Sequence, residues 1–507
     1  MRISTNSTPK SIHAGNHFTK IARNSSLYLV SSLVTKFSTL LLLPLMTRLL
    51  SPSDYGLIAN LQAIIQFSTV FMSLYIDSAY DRFYFEYNDC REKLARYTST
   101  FFMFVLLWGL LPTGALGIVG YRYIAGAYSV TFFPLIFLTT ISPLLIQLSV
   151  FGHSFLRNNL KTTVIVMRDL AIFLLSTGIS LVLMLGFDLS VTGRFWGIFA
   201  GIVITCCFYT WVLAHEGLLS WHIDKQILRE SLKFSIPLVP LAMSSWITTL
   251  SDRIILTYYT DISEAGLYDV AYRISQGIRV ITESVFQVYA PMMVSMYTHD
   301  RSQFNKKVGQ FATYFVWIMF FAAFYISIFS KEILVLLTAP EYHSSYKLVP
   351  VIVFAYFISA QTKYLSSVFS LRKITYLSTI GYILQAIINL ALNILLIPHL
   401  GKAAAAWSTF ASLLFLTCWC GYWFLRLEDV AFEWCKIFKI FVIGAFAFAV
   451  YFTATHVFTL SLLPMLFLKL AVTAPPILAL TLVTGVINFR DLKGLFYRNS
   501  SRSFRNA

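Results

Sequence analysis

Fourteen apolar segments, each about 20 residues long and joined by connections no longer than about 20, leave this chain few folds to choose from. Their approximate bounds are 27–47, 56–79, 98–120, 129–152, 162–186, 193–214, 234–258, 265–290, 309–330, 348–371, 374–396, 402–425, 437–457 and 463–487. A run of that length crosses the roughly 30 Å hydrocarbon core of a bilayer as a helix, because a helix satisfies its own backbone polar groups in lipid. The connections are too short to fold as separate domains. With 57% of 507 residues hydrophobic, 12% charged and a mean hydropathy of +0.70, the chain has no soluble surface to offer. An all-α integral membrane protein is expected, and whatever it does takes place inside the bilayer.

The first 26 residues are polar and basic, and the apolar run after them ends at Arg48 without a small-residue cleavage site. It is therefore expected to stay as the first span rather than be removed as a signal peptide. The termini and the loops after even-numbered spans, taken with the adjoining span ends, hold 26 of the 39 Lys and Arg residues, against six on the opposite side. The positive-inside rule then places both termini in the cytoplasm. The net charge of +16 is explained by that asymmetry and by contact with anionic membrane lipids, so no nucleic acid partner is expected. The six cysteines lack metal-ligand spacing and lie mostly in or beside apolar runs, which suits reduced, structural thiols.

The turn after span one reads "SPSDYGL". Pro52, an N-cap at Ser53, Asp54 in the first turn and Gly56 make helix-start chemistry. "SEAGL" (263–267) echoes "SDYGL" (53–57) at an offset of 210 residues, and Gln66 and Gln276 each follow their glycine by ten. Both copies sit between two spans at the same point of the count. Two six-span halves are expected, 27–230 and 231–430, after a basic tail at 1–26. Two further helices and a basic tail fill 431–507.

"PLMTRLLSPSDYGL" and "LKFSIPLVPLAMSSWITTLSDRIILTYYTDISEAGLYDVAYRI" resemble the signature regions of bacterial polysaccharide (O-antigen type) flippases. These belong to the multidrug/oligosaccharidyl-lipid/polysaccharide exporter superfamily. "AYDRFYFEY" after span two also fits, since the family has a charged, aromatic inner loop there. The resemblance implies two pseudo-symmetric six-helix lobes around a central cavity in the bacterial cytoplasmic (inner) membrane. It implies as cargo an undecaprenyl-pyrophosphate-linked oligosaccharide moved from the inner to the outer leaflet, with other polysaccharide assembly proteins as partners. It implies no cofactor.

Charges at bilayer depth are the residue-level evidence for such a cavity, because each must face protein or water. At 1.5 Å per residue, Lys36 lies roughly 14 Å into span one and Arg279 roughly 17–20 Å from either end of span eight. On a helix, Asp269, Tyr272, Arg273, Gln276, Arg279, Glu283 and Gln287 share a sector of about 120°, while Val270, Ile274, Ile278, Ile281 and Val285 lie opposite. That face is either a wet, cargo-facing wall or an internal ladder in which Arg279 pairs with Glu283 four residues on. Lys363 is a further deep cation. Asp252 with Arg253, and Arg168 with Asp169, lie close enough to span ends to snorkel, and Lys469 reads as interfacial. Arg48 and Asp54 are expected to fix the turn by helix-end interactions, Arg48 also being a cargo candidate.

Compact anionic cargo favours this basic set, because arginine binds phosphate through paired, charge-assisted hydrogen bonds. The expected cargo contacts are therefore Arg279, Arg273, Lys36, Gln276, Lys363, Arg253 and Arg48, with Glu283, Asp77 and Asp252 as ion-coupling carboxylates. No metal site is expected. HExxH, GxSxG and P-loop motifs are missing from the sequence, so no catalytic residue is assigned. Two rivals stay open. A multidrug antiporter should have a mainly acidic cavity, and a membrane polysaccharide polymerase should carry a sizeable outer loop.

Overall fold

The computed structural model describes residues 42–299, 301–458 and 461–487. Lys36 and most of segment 27–47 lie outside the described residues. Among the described residues all regular structure is helical. Ten helices are long and apolar enough to cross a membrane, or eleven if the bent pair Pro340–Lys347 and Val349–Leu371 counts as one span.

The span count differs from fourteen for physical reasons. Tyr376–Leu427 is one of the ten at 52 residues, which as a straight rod would reach about 78 Å, far beyond a bilayer core. It turns back instead at Gly401 (φ 55°), just after Pro398. The Trp419 indole N–H donates to the Leu377 carbonyl at 3.0 Å, and the Asn389 amide to Ser412 Oγ at 3.3 Å. Those pairings join two antiparallel arms, so segments 374–396 and 402–425 are separate crossings. Segment eight is not a single apolar helix: it is the more polar pair Ile262–Ser275 and Gly277–His299, interrupted at Gln276. A fourteen-span count is thus not confirmed, since segment eight is too polar and segment one lies largely outside the described residues.

Two local expectations are corrected. The N-cap of helix Pro52–Ser73 is Ser51, not Ser53: Asp54 N–H donates to Ser51 Oγ at 3.2 Å and Ser51 N–H donates to Asp54 Oδ2 at 3.0 Å, a reciprocal capping box. That helix stops at the left-handed residues Leu74 (φ 50°) and Tyr75 (φ 60°), and "AYDRFYFEY" belongs to a further helix, Ile76–Tyr87, rather than to a loop. Tyr80 and Tyr84 are fully buried there, and the Tyr97 hydroxyl lies 3.1 and 3.0 Å from the carbonyls of Ala79 and Tyr80. These aromatics are packing residues.

Helices Pro52–Ser73 and Ile262–Ser275 cross where the repeated glycines stand. A Cβ on Gly56 would sit 1.9 Å from the Ile262 carbonyl oxygen, and one on Gly266 would sit 2.0 Å from the Pro52 carbonyl oxygen. Each member of the two pairs is 210 residues from its counterpart, so the contact is reciprocal about a local two-fold axis. Only glycine lets two backbones approach this closely. Gly266→Ala is expected to lower the unfolding free energy by at least about 1–3 kcal/mol, because the clashing atoms are backbone. Gly277→Ala, whose Cβ would meet only Ile326 Cδ1 at 3.7 Å, should be tolerated. Thermal unfolding of both variants in detergent checks the contrast, and equal losses would contradict it.

Among the described residues, apolar packing forms one large cluster that draws on both halves of the chain, a second confined to residues 76–232, and a small third around Phe369, Leu377, Leu416 and Cys420. Lys469, read from sequence as interfacial, is held inside the protein. It is 5% exposed, and its ammonium donates to Glu332 Oε1 and to the Ile328 carbonyl, each at 2.7 Å. This buried pair ties helix Leu462–Val483 to the bundle.

Candidate functional site

Beyond the glycine crossing, the polar face of segment eight descends into the bundle as a ladder. Val270, Ile274 and Ile278 are buried in the large apolar cluster. That fixes the rotation of the helix and turns Asp269, Arg273, Gln276 and Arg279 the other way, toward helices Pro52–Ser73 and Val239–Tyr259.

The first rung is a four-residue charge network. Arg253, 1% exposed, donates from Nε to Asp269 Oδ1 at 3.1 Å, and from Nη1 to Asp252 Oδ1 at 2.7 Å and the Thr249 carbonyl at 2.5 Å. Tyr272 lies under its guanidinium at 4.2 Å. The other Asp269 oxygen accepts from Arg273 Nε at 2.5 Å, and Arg273 reaches Gln62 Oε1 on the opposing helix at 3.4 Å. Asp252 and Arg253 therefore do not snorkel. Two aspartates and two arginines neutralise each other in the interior, the arrangement a buried charge requires.

The second rung is a cavity of about 540 Å³ lined by Gln62, Gln66, Gln276, Arg273 and Arg279, with Arg253 and Asp269 in its wall. Gln66 and Gln276 are the repeated glutamines. A neighbouring cavity of about 470 Å³ shares Tyr272 and Arg279 and adds Tyr75, Glu283, Tyr356 and Lys363. Here Glu283 pairs with Lys363 at 2.5 Å, not with Arg279. Arg279 is exposed and lines both cavities, and its side chain has neither an ion pair nor a hydrogen bond among the described residues. The cavities thus present a free guanidinium among glutamines, hydroxyls and tyrosine rings, a setting suited to a compact anion with sugar attached.

Of the remaining candidates, Asp77 starts helix Ile76–Tyr87, accepts from Ser73 Oγ at 3.3 Å and is not among the lining residues of these cavities. Arg48 is exposed in the last turn of helix Leu43–Leu49, apart from the cavity walls. Among the described residues no group of His, Cys, Asp or Glu is placed to hold a metal ion.

A third cavity, about 360 Å³, lies beside the first, shares Gln62 and Arg273 with it, and is lined also by Tyr55, Arg168, Asp169 and Arg194. Sequence reasoning passed over Arg194 because it stands near the end of a span. The signal that could have found it is G193-x₃-G197-x₃-G201: a Cβ on Gly197 would lie 2.0 Å from Ser180 Oγ, and Gly193 and Gly201 meet Leu183 and Ser176 in turn. This seam brings helix Ser190–His215 against Thr162–Gly186. Arg194 Nη1 then donates to Ser180 Oγ at 3.1 Å.

The profile of a family described as "Polysaccharide biosynthesis protein" matches residues 45–347. A comparison with curated protein sequences finds no match. Among solved structures, the chain is similar to the lipid II flippase MurJ in an inward closed conformation, with TM-score 0.70 and 16% identity over 92% of this chain and 99% of that one. It is similar also to a Vibrio cholerae MATE transporter, with TM-score 0.56 and 14% identity over 81% and 97% of the two chains. A further match is an inward-facing multidrug resistance MATE family transporter of the MOP superfamily, with TM-score 0.56 and 11% identity over 79% and 94%. At these identities the likeness is one of fold: a multi-pass helical membrane protein built like flippases and transporters.

Proposed function

The chain belongs to the polysaccharide biosynthesis protein family, and from that premise we propose that it flips an undecaprenyl-pyrophosphate-linked oligosaccharide from the inner to the outer leaflet of a bacterial cytoplasmic membrane. Both termini lie in the cytoplasm, and residues 27–230 and 231–430 act as the two lobes. The product feeds surface polysaccharide assembly of the O-antigen kind. The observation that carries this reading is Arg279, a cation with no ion-pair partner among the described residues, facing two adjacent polar cavities.

A lipid pyrophosphate must lose much of its hydration to pass the hydrocarbon region, and an arginine in a wet cleft replaces those contacts. Glutamines and tyrosines offer the hydrogen bonds and ring faces that a sugar uses. The antiporter reading is weaker, because Asp252, Asp269 and Glu283 are each already engaged by an arginine or lysine. A cation cargo would find no free carboxylate on these rungs.

Deletion of the gene, followed by leaflet-resolved assay of lipid-linked oligosaccharide, tests the function. Accumulation on the inner leaflet is expected. Accumulation of unpolymerised units on the outer leaflet would point to a polymerase instead, and drug sensitivity without any lipid-linked intermediate would point to an antiporter.

A further inference from the structure

The third cavity contains a second cation that the flipping reading does not use. Three arginines line it, but two are neutralised: Arg168 pairs with Asp169 at 3.1 Å, and Arg273 with Asp269 at 2.5 Å. Arg194 has only the Ser180 hydroxyl, and no carboxylate among the described residues. An arginine half-buried in a membrane bundle without a counter-charge is costly unless water or an anion reaches it, which makes it a candidate anion site. A separate observation also points to a ligand. Thr177, 9% exposed, lines the same cavity with its hydroxyl lacking any hydrogen-bond partner, and Arg168 Nε is likewise buried and unpaired. Gln62, Tyr55 and Ser176 complete a polar wall.

We infer that Arg194 is a subsite for an acidic group on the glycan itself, a sugar carboxylate or a phosphoryl substituent, so that the cargo's repeat unit is anionic. The inference rests on the flipping reading and deepens it. This cavity and the Arg279 cavity lie side by side, with Gln62 and Arg273 lining both, and we place the pyrophosphate of one cargo molecule at Arg279 and a sugar at Arg194. The guanidinium has the fork geometry for a carboxylate or phosphate, and the unpaired Thr177 hydroxyl suits the sugar ring beside it. A neutral glycan would leave Arg194 without a counter-charge throughout transport.

The test uses the full chain in phosphatidylcholine nanodiscs, which offer no anionic headgroup. Two synthetic polyprenyl-diphosphate disaccharides serve as probes, identical except that one ends in glucose and the other in glucuronic acid. The acidic probe is expected to bind roughly tenfold tighter, the size of one charge-assisted hydrogen-bonding pair. Arg194→Gln should abolish that preference and Arg194→Lys should keep part of it, while Arg279→Gln should weaken both probes. Equal binding of the two probes by the unaltered protein would overturn the acidic subsite and leave the flipping reading standing, as would an unchanged preference in Arg194→Gln. Failure of both probes to bind would overturn the flipping reading and the subsite with it. If Arg194→Gln does not fold, the preference is read from Arg194→Lys, where full retention of the unaltered ratio together with equal salt sensitivity of the two probes would count against the subsite.

Discussion

Arg253→Met should yield little folded protein. Its guanidinium holds Asp252 and Asp269 together; removing it leaves Asp252 as a buried carboxylate with no cation among the described residues, and Asp252 Oδ2 already lacks a hydrogen-bond partner. Breaking a buried ion pair from one side destabilises by about 3–5 kcal/mol, a large share of a typical protein's net stability. Asp269 is less affected, since Arg273 remains on its other oxygen. The double variant Asp252→Asn with Arg253→Met removes both charges of one pair and should recover most of the loss, as replacing an entire buried pair often does. Size-exclusion profiles and thermal unfolding in detergent measure both variants. A single variant as stable as the unaltered protein would show that Asp252 does not depend on Arg253 for its counter-charge.

What the sequence revealed depended on distance along the chain. The polar and apolar faces of segment eight were legible because they follow from a helix's own period: Val270, Ile274 and Ile278 are buried together as their spacing requires. The Gly56 and Gly266 echo was legible as a repeat at one offset, and the crossing of the two helices gives it a steric reason. Partners were not legible. Four-residue spacing allowed Glu283 to meet Arg279, yet it meets Lys363, 80 residues away, because packing of helix Val349–Leu371 decides which cation arrives. The burial of Arg253 was hidden for a similar reason. Its distance from a span end permitted snorkelling, and only the two aspartates gathered around it make burial tolerable. The pairing of Lys469 was hidden because its counter-charge, Glu332, comes from another helix. Arg194 escaped notice since a span-end arginine looks ordinary until the glycine seam beside it is read as a helix contact.

Arg279→Ala should abolish flipping while leaving the protein in the membrane. The two arginines on segment eight differ in what holds them: Arg273 is bound to Asp269 and helps neutralise the buried network, whereas Arg279 has no partner among the described residues and faces two cavities. Loss of Arg279 therefore unpairs nothing, and stability should change by less than about 1 kcal/mol, as for substitutions away from buried networks. Transport should fall at least about tenfold, because charge-assisted hydrogen bonds to a phosphate contribute about 1.5–3 kcal/mol. Arg279→Lys should keep part of the activity through its charge while losing the paired geometry. If Arg279 served only to balance Glu283, combining Arg279→Gln with Glu283→Gln would restore transport. The geometry predicts otherwise, because Glu283→Gln takes the counter-charge from Lys363, so the combination should remain inactive. Glu283→Gln with Lys363→Met, which removes that pair as a unit and keeps Arg279, should transport better than Glu283→Gln alone. Leaflet-resolved assay of lipid-linked oligosaccharide, normalised to protein abundance, separates these outcomes. Full transport by Arg279→Ala, or full rescue by Glu283→Gln in the Arg279→Gln background, would remove Arg279 from the cargo path.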